Sequence, residues 1–535
     1  MAQSAADAAA IVATDDVDES PASSGSKPND PVDPEHNDVL RRTRSRGSVL
    51  MRMHTGASTI VPRAKRIGFL SSLAIVPEVE DPREYTQGTK HFIVFLVAAA
   101  AMSGPMSSGI LLPALSNVER DFGTTATVAN LTITTFLIGM GVSPLWLAYV
   151  SEHFGRRTVY LLSFSAYTVF SILCAVSQSI SQLLAFRLLA ALSSGAAQAI
   201  GAGVIADIYL AQHRGNAMGW FYLGPIVGPL MSPVLGGLLT SAGSWRNTQW
   251  FIVAKAGTLT ILLLFCLPET LRDAKVLEIY DKEAGSLRMP TKMEVFLHTL
   301  ADPLKTIKFF AFPAVACSIA YASLNFGSLY FLNISIEYSF EMAPYNFRTI
   351  IIGCLYLGNS IGYIIGSILG GKWCDIVMQR AKEKEGGEYI PERRFGLNAW
   401  TGAFFAPAGL FIYGWTIGQF WLIPLIGTFI FGLATMFIYA AVTTYLIDAL
   451  PGRGSSAMAL NNLVRMLLAA GASAAAEPAL KRLGNHVLFS ILASVCWAST
   501  VLVLLILRKG DAWRAKAAAR AEMAASQAGP AHNPR

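Results

Sequence analysis

Charge is scarce in this sequence. Asp, Glu, Lys and Arg make up only 14% of its 535 residues, while 53% are hydrophobic. Soluble domains carry about a quarter charged residues, so an ordinary soluble chain is excluded and a membrane protein is expected. Carboxylates are scarcest of all where the sequence is most apolar. Asp207, Glu337, Asp375, Asp448 and Glu477 all fall at the ends of apolar runs, none well inside. The six cysteines all lie in apolar runs, with no CxxC pair and no Cys/His cluster. They read as small hydrophobes, and no metal or cofactor is expected. No basic cluster interleaves with aromatics in a soluble domain, so nucleic acid is not an expected partner. No phosphate-binding glycine loop sits beside a βα unit and no nucleophile–base pair stands out, so an enzyme is not expected.

What the chain has instead is a series of apolar segments, each about 20 residues or more, the length that spans a bilayer. They fall near 91–114, 126–149, 157–178, 182–208, 214–240 and 248–268, then near 309–334, 347–373, 396–416, 420–447, 456–476 and 485–507. The expected organisation is a disordered N-terminal tail (1–89) without a signal peptide, a six-helix bundle (90–268), a charged linker (269–308), a second six-helix bundle (309–507) and a short tail (508–535).

Basic residues bias the loops. They occupy the N-terminal tail, the turn after segment two (Arg156, Arg157), the linker, the stretch after segment eight and the C-terminal tail. Alternate loops are poor in them, which predicts both termini on the cytosolic side. The halves also echo one another. Ala148–Glu152 and Gly371–Asp375 each put a carboxylate four residues after a small residue, and Asp207…Arg214-Gly-Asn-Ala-Met parallels Asp448…Arg453-Gly-Ser-Ser-Ala-Met. Repetition at half-chain spacing is what transporters built from duplicated bundles show.

Residues 219–237 concentrate the signal. Gly224, Gly228, Ser232 and Gly236 recur every four residues, and Pro225, Pro229 and Pro233 follow at the same interval. In a helix this makes one narrow face of small residues, against which another backbone packs closely. Three interior prolines argue against a soluble helix and are tolerated in a membrane. The spacing alone fits a plain packing face equally well. Gly224-Pro225-x-x-Gly228-Pro229, continuing to Gly236-Gly237, resembles the fifth-helix antiporter motif of major facilitator exporters. That resemblance implies an all-α membrane protein of the major facilitator fold, with twelve transmembrane helices in two pseudo-symmetric six-helix bundles. It also implies proton-driven efflux rather than uptake.

Residues 148–157 resemble the same family's loop between helices two and three. Gly155, Arg156 and Arg157 match, Glu152 stands where Asp is usual, and Ala148 stands where glycine is typical. A carboxylate between bundles can pair with an arginine or a helix N-terminus, so Glu152, Gly155, Arg156, Arg157 and Asp375 are candidate gate residues; the alternative is a topology signal alone. Pro77-Glu78-Val79-x-x-Pro82, Gly104-Pro105-Met106, Gly201–Asp207 and Pro268-Glu269-Thr270 are similar to the fungal twelve-helix drug:proton antiporters, with the quinidine-resistance and dityrosine-transporter branch the nearest.

Arg187 lies inside segment four, where an arginine costs about 2.5–3.5 kcal/mol on insertion scales. It shares a face with Ser194 and Gln198 and resembles the family's fourth-helix arginine, which is linked to proton coupling; snorkelling to the interface is the alternative. Tyr321 and Asn325, Asn359 and Tyr363, and Asn462 and Arg465 mark polar faces on segments seven, eight and eleven. Together these nine residues are the candidate substrate site, with interhelical hydrogen bonds as the plainer reading of any one of them. Fixed cations without a carboxylate suit an organic anion or neutral molecule better than a polyamine.

The resemblance implies a monomer in the plasma membrane, with a vacuolar or vesicle membrane as alternatives. It exports a small organic molecule by alternating access and exchanges it for protons, with lipid as its solvent. An organic acid or other secreted metabolite is the leading cargo, and a broad multidrug or polyamine antiporter is second. A non-transporting sensor on a transporter fold is the reading from another class.

Overall fold

In lipid every backbone polar group must be satisfied within the protein, so long apolar runs become helices or closed barrels. The computed structural model describes residues 60–210, 214–271, 279–281, 286–288, 301–384, 390–449 and 454–527, and it is built almost entirely of helices. In chain order these are α1 (Gln87–Phe122), α2 (Ala126–Phe154), α3 (Arg156–Ala175), α4 (Ile180–Ile208), α5 (Arg214–Ser241) and α6 (Arg246–Cys266). A short antiparallel hairpin, β1 (Ile279–Asp281) with β2 (Ser286–Arg288), lies in the linker and is an addition to the all-α expectation. The second half holds α7 (Pro313–Glu341), α8 (Thr349–Lys384), α9 (Gly396–Thr416) and α10 (Leu422–Ala449). A final run, Gly454–Gln527, is two helices, α11 (454–483) and α12 (485–527), because Gly484 at φ 71° leaves helical geometry. The described residues therefore hold twelve long helices in two sets of six.

The sets are related by exchange of halves. α5 packs on α8 and α11 on α2 across the seam; α3 packs on α6, and α9 on α12, at the flanks. Small residues set the closest approaches. A Cβ on Gly362 would sit 2.4 Å from Phe429 O, and one on Gly139 2.7 Å from the Ala191 Cβ, so α8–α10 and α2–α4 meet backbone to backbone. In lipid such contact replaces the hydrophobic drive that holds soluble helices together.

Two expected boundaries shift. Residues 60–86, expected within a disordered tail, form a strap against the Arg156 end of the first bundle. Ile60 bridges Val79, Ile67 N–H donates to the Glu78 carboxylate, and Ile75 N–H donates to Phe265 O at 2.7 Å. Its apolar anchors, Ala74, Val79 and Tyr85, are buried singly, so no periodic apolar run marked it in the sequence. At the other terminus α12 runs past 507, and Arg514 pairs with the buried Glu392 at 3.1 Å. Expectations for residues 1–59, 289–300 and 528–535, for Arg453 and for the Asp375 side chain lie outside the described residues.

Candidate functional site

A cavity of about 450 Å³ lies between the two bundles. α1, α5, α7, α8, α10 and α11 supply most of its wall, with Met140 of α2 and Gln198 of α4. It runs from Pro233 and Tyr356 to Ile447 in the last turn of α10. Of the nine candidate substrate residues, Gln198, Asn325, Asn359, Tyr363 and Arg465 line it. Aromatic walls complete it: Tyr222, Phe326, Tyr330, Tyr356 and Tyr439.

Arg465 is the cation of this chamber, and no Asp or Glu is among the lining residues. Its guanidinium stacks over Phe326 at 4.4 Å and over Tyr439 at 4.7 Å, so two rings fix the plane. Nη2 donates to Asn462 Oδ1 at 3.1 Å, and Asn462 reaches across the seam to Met140 O at 3.3 Å. Arg465 Nε is buried with no hydrogen-bond partner, as is the Asn333 side-chain carbonyl oxygen, Oδ1. Unpaired polar atoms around a chamber are the signature of groups waiting for a ligand or water, since leaving each unmade costs about 1–3 kcal/mol.

Arg187, Ser194 and Tyr321 are not brought to the cavity. Arg187 is 1% exposed, packed inside the first bundle. Both its Nη atoms donate to Ser107 O at 3.2 Å, its Nε donates to Thr132 O at 3.1 Å, and its plane covers Phe136 at 4.6 Å. The sequence explains why. α1 is broken near Pro113, the helix Ser103–Gly109 stops, and Ser107 O is left beyond the last regular turn. The guanidinium fork satisfies that carbonyl. Ser194 bonds back to Ala191 O in its own helix, and Tyr321 is wholly buried on α7.

The antiporter-motif helix turns one face to α1, one to α8 and one to the cavity. A Cβ on Gly224 would fall 2.1 Å from Ala98 O, one on Gly228 3.1 Å from Met102 O, and one on Gly236 2.0 Å from Ile110 O, so the small stripe lies on the α1 backbone. Gly237 meets Thr349 O and Gly353 of α8. The prolines Pro225, Pro229 and Pro233 turn into the cavity.

Four of the five candidate gate residues, Glu152, Gly155, Arg156 and Arg157, lie at one end of the first bundle, and Asp375 lies on α8 of the second. Gly155 has φ +93°, and a Cβ there would sit 2.5 Å from Glu269 Oε2, so only glycine fits. The Glu269 carboxylate accepts from the backbone N–H of Arg156 and Arg157 at 2.9 and 3.1 Å, capping α3 where no side chain of its own does. It also accepts from Thr270 and Leu271 N–H. Burial pushes the Glu269 carboxyl above its ordinary range, and these four donors pull it back. Arg156 pairs with Asp207 at 3.2 Å and bonds Ser151 Oγ at 2.6 Å. The Arg157 guanidinium donates to Leu263, Leu264 and Leu267 carbonyls at the end of α6 and to Phe69 and Leu70 carbonyls of the strap. Both arginines thus face their own bundle, and Glu152 is half-buried beside Asp207.

Sequence reasoning read Glu269 as the start of a linker; its place at the end of an apolar segment, opposite an Arg-Arg helix start, was the available signal. Phe326 and Tyr439 carried none. At the opposite end the seam is latched. Ser116 N–H donates to Glu337 at 3.0 Å, Arg120 pairs with Glu341 at 3.0 Å, and Thr127 bonds Glu477, which also holds Lys481.

Comparison with known proteins places this arrangement. The Major Facilitator Superfamily family model matches residues 97–474. The "MFS antiporter QDR3" of Candida albicans is 32% identical, over 85% of this chain and 82% of its own length. "Quinidine resistance protein 3" of Saccharomyces cerevisiae is 31% identical, over 85% of this chain and 87% of its own. Among solved structures, the human organic anion transporter MFSD10 (TETRAN) matches with TM-score 0.55 at 16% identity, covering 78% of this chain and all of that one.

Proposed function

Because the chain belongs to the major facilitator superfamily and is a multi-pass membrane transporter rather than an enzyme, we propose that it is a proton-coupled exporter of small organic anions. The observation that carries the cargo class is Arg465. Its Nε edge is unpaired, its faces are shielded by aromatic rings, and no carboxylate lines the chamber to neutralise it. A planar fork of this kind suits a carboxylate, and the apolar remainder of the wall suits an aromatic or aliphatic body. Export against proton entry is what the antiporter-named relative supports, together with the fifth-helix motif.

The loop charges assign the Arg156 end to the cytosol. A cavity reaching the last turn of α10, with the Ser116 end latched, is then the inward-facing state of alternating access. The strap, the Glu269 cap and the Arg156–Asp207 pair hold the first bundle rigid as it rocks. We take the working unit as a monomer in the plasma membrane with both termini in the cytosol.

A second reading is favoured by one observation. Six aromatic residues face the cavity, and such walls also accept organic cations, in keeping with a relative named for quinidine resistance. Counterflow in proteoliposomes separates the two, using labelled benzoate as the anion and labelled tetraphenylphosphonium as the cation. Benzoate exchange, accelerated when the side opposite the cargo is acid, is the expected result. Exchange of the cation alone overturns the cargo class, and binding without exchange of either replaces the exporter with a sensor.

A further inference from the structure

We propose that Glu337 is the proton-carrying group of the transport cycle, acting as the latch of the Ser116 end. This rests on the proton-coupled reading above. Glu337 belongs to the second bundle and is 6% exposed, and its Oε1 accepts the Ser116 N–H of the first bundle at 3.0 Å. Ser116 lies in the first turn of the helical segment Leu115–Phe122, so the carboxyl docks on that segment's N-terminal amides. Among the described residues no Lys, Arg or His pairs with it. The groups that face it are Glu341 one turn on, Glu119 from α1 and Tyr356 from α8. Arg120, the nearest cation of α1 in this cluster, is already paired with Glu341.

Position makes this a coupling site and not only a contact. Asn333, one turn before Glu337 on α7, lines the cavity, and its side-chain Oδ1 is unpaired. The Tyr356 hydroxyl, also in the cavity wall, donates to Asn333 O at 2.7 Å. Glu337 therefore stands directly above the roof of the chamber, between it and the outer solution. When the outer end opens, Glu337 parts from Ser116 and meets external water. Closing that end with the carboxylate ionised buries a charge that Ser116 alone offsets and that Glu341 and Glu119 oppose; closing it with the proton bound does not. An external proton thus licenses closure, and its loss into the chamber on the other side licenses reopening. A bound carboxylate on Arg465 travels the opposite way.

The test needs no cargo, so it fails independently of the cargo class. Ser116→Cys keeps the backbone N–H and places a thiol in the latch. The full chain carrying it is reconstituted and labelled from the Ser116 side with an impermeant maleimide at about pH 5.5 and about pH 7.5. Reactivity is normalised to an exposed Gln419→Cys variant. One carboxyl can shift the equilibrium by up to tenfold per pH unit, and labelling at least about fivefold greater at the higher pH is expected. Adding Glu337→Gln should bring the ratio to about 1 with low labelling at both values. An unchanged ratio in the double variant overturns the proposal. So does a ratio near 1 in Ser116→Cys alone, which keeps the test decisive should the double variant not fold. Where benzoate counterflow is established, Glu337→Gln should retain exchange at equal pH and lose its acceleration by a pH gradient; retention of both overturns it.

Discussion

Two arginines lie inside the membrane-spanning helices, and the structure uses them in opposite ways. Arg187 has spent its donors: two helices of the first bundle give it carbonyls, and a phenyl ring covers its face. Arg465 has its faces covered too, yet its Nε is buried without a partner and the residue lines a chamber between bundles. Each is the lone cation of its apolar run; the difference is what each donor has to do. A guanidinium whose donors all meet carbonyls is a joint of the scaffold. One with an unpartnered donor beside a cavity is what we propose as the cargo receptor. Arg157, engaged by five carbonyls at the end of α6 and the strap, is a second joint, outside the lipid.

The largest effect that sharpens this contrast is on Arg187. The sequence alone suggests a transport defect, whereas the structure makes the residue a support for the broken α1. Arg187→Ala takes both guanidinium donors from Ser107 O, removes the tie to Thr132 O on α2 and opens a void, for a loss of about 3–5 kcal/mol in stability. The expected outcome is a sharply lowered melting temperature in detergent and little protein at the surface. Lysine should rescue poorly, since one ammonium cannot span two helices as the fork does. Normal stability with abolished flux would break the comparison by making Arg187 the receptor.

Arg465→Ala comes next. It should fold and reach the surface, because its removal strands only Asn462 Oδ1, and should lower benzoate counterflow by about 100-fold, the worth of one charge-assisted hydrogen bond at about 2–3 kcal/mol. Arg465→Lys should recover part of that through charge alone. A melting-point loss as large as that of Arg187→Ala would make Arg465 another joint and remove the anion argument.

How much of this was legible beforehand follows from the same distinction. Helix number, the two halves and the small-residue stripe on α5 were readable, because lipid forces them onto the sequence as periodic apolar composition. Gly155 was readable as a motif, though its cause, the Glu269 carboxylate against its Cα, was not. Arg187 and Arg465 were indistinguishable in sequence, since both are lone cations in apolar runs. Only the break in α1 decides what Arg187 must satisfy. Glu337 looked like a helix-end carboxylate, and its weight comes from Ser116, 221 residues away in the chain. The strap was missed because a few scattered apolar anchors, Ala74, Val79 and Tyr85, and backbone hydrogen bonds hold it, and neither leaves a periodic pattern.

The smallest effect concerns the joint outside the membrane. Glu269 caps α3 in the same place where Arg157 ties α6 to the strap, so it reports whether this end is scaffold. In Glu269→Gln one oxygen keeps the Arg156, Thr270 and Leu271 donors, while the new amide faces Arg157 N–H donor to donor. A loss of about 1–2 kcal/mol is expected at neutral pH, with transport nearly unchanged once protein amount is matched. The pH dependence adds a sign. Burial raises the folded-state carboxyl above its ordinary value of about 4.3. Its stabilising share is therefore fully present below that ordinary value and lost as pH rises through the folded one. The parent chain should melt slightly higher as pH falls from neutrality toward that window, and Glu269→Gln should lack this increment. If the variant instead kept its stability and lost flux, the Arg156 end would be a moving gate rather than a fixed joint, and the line drawn between spent and open guanidinium groups would have to be moved to include it.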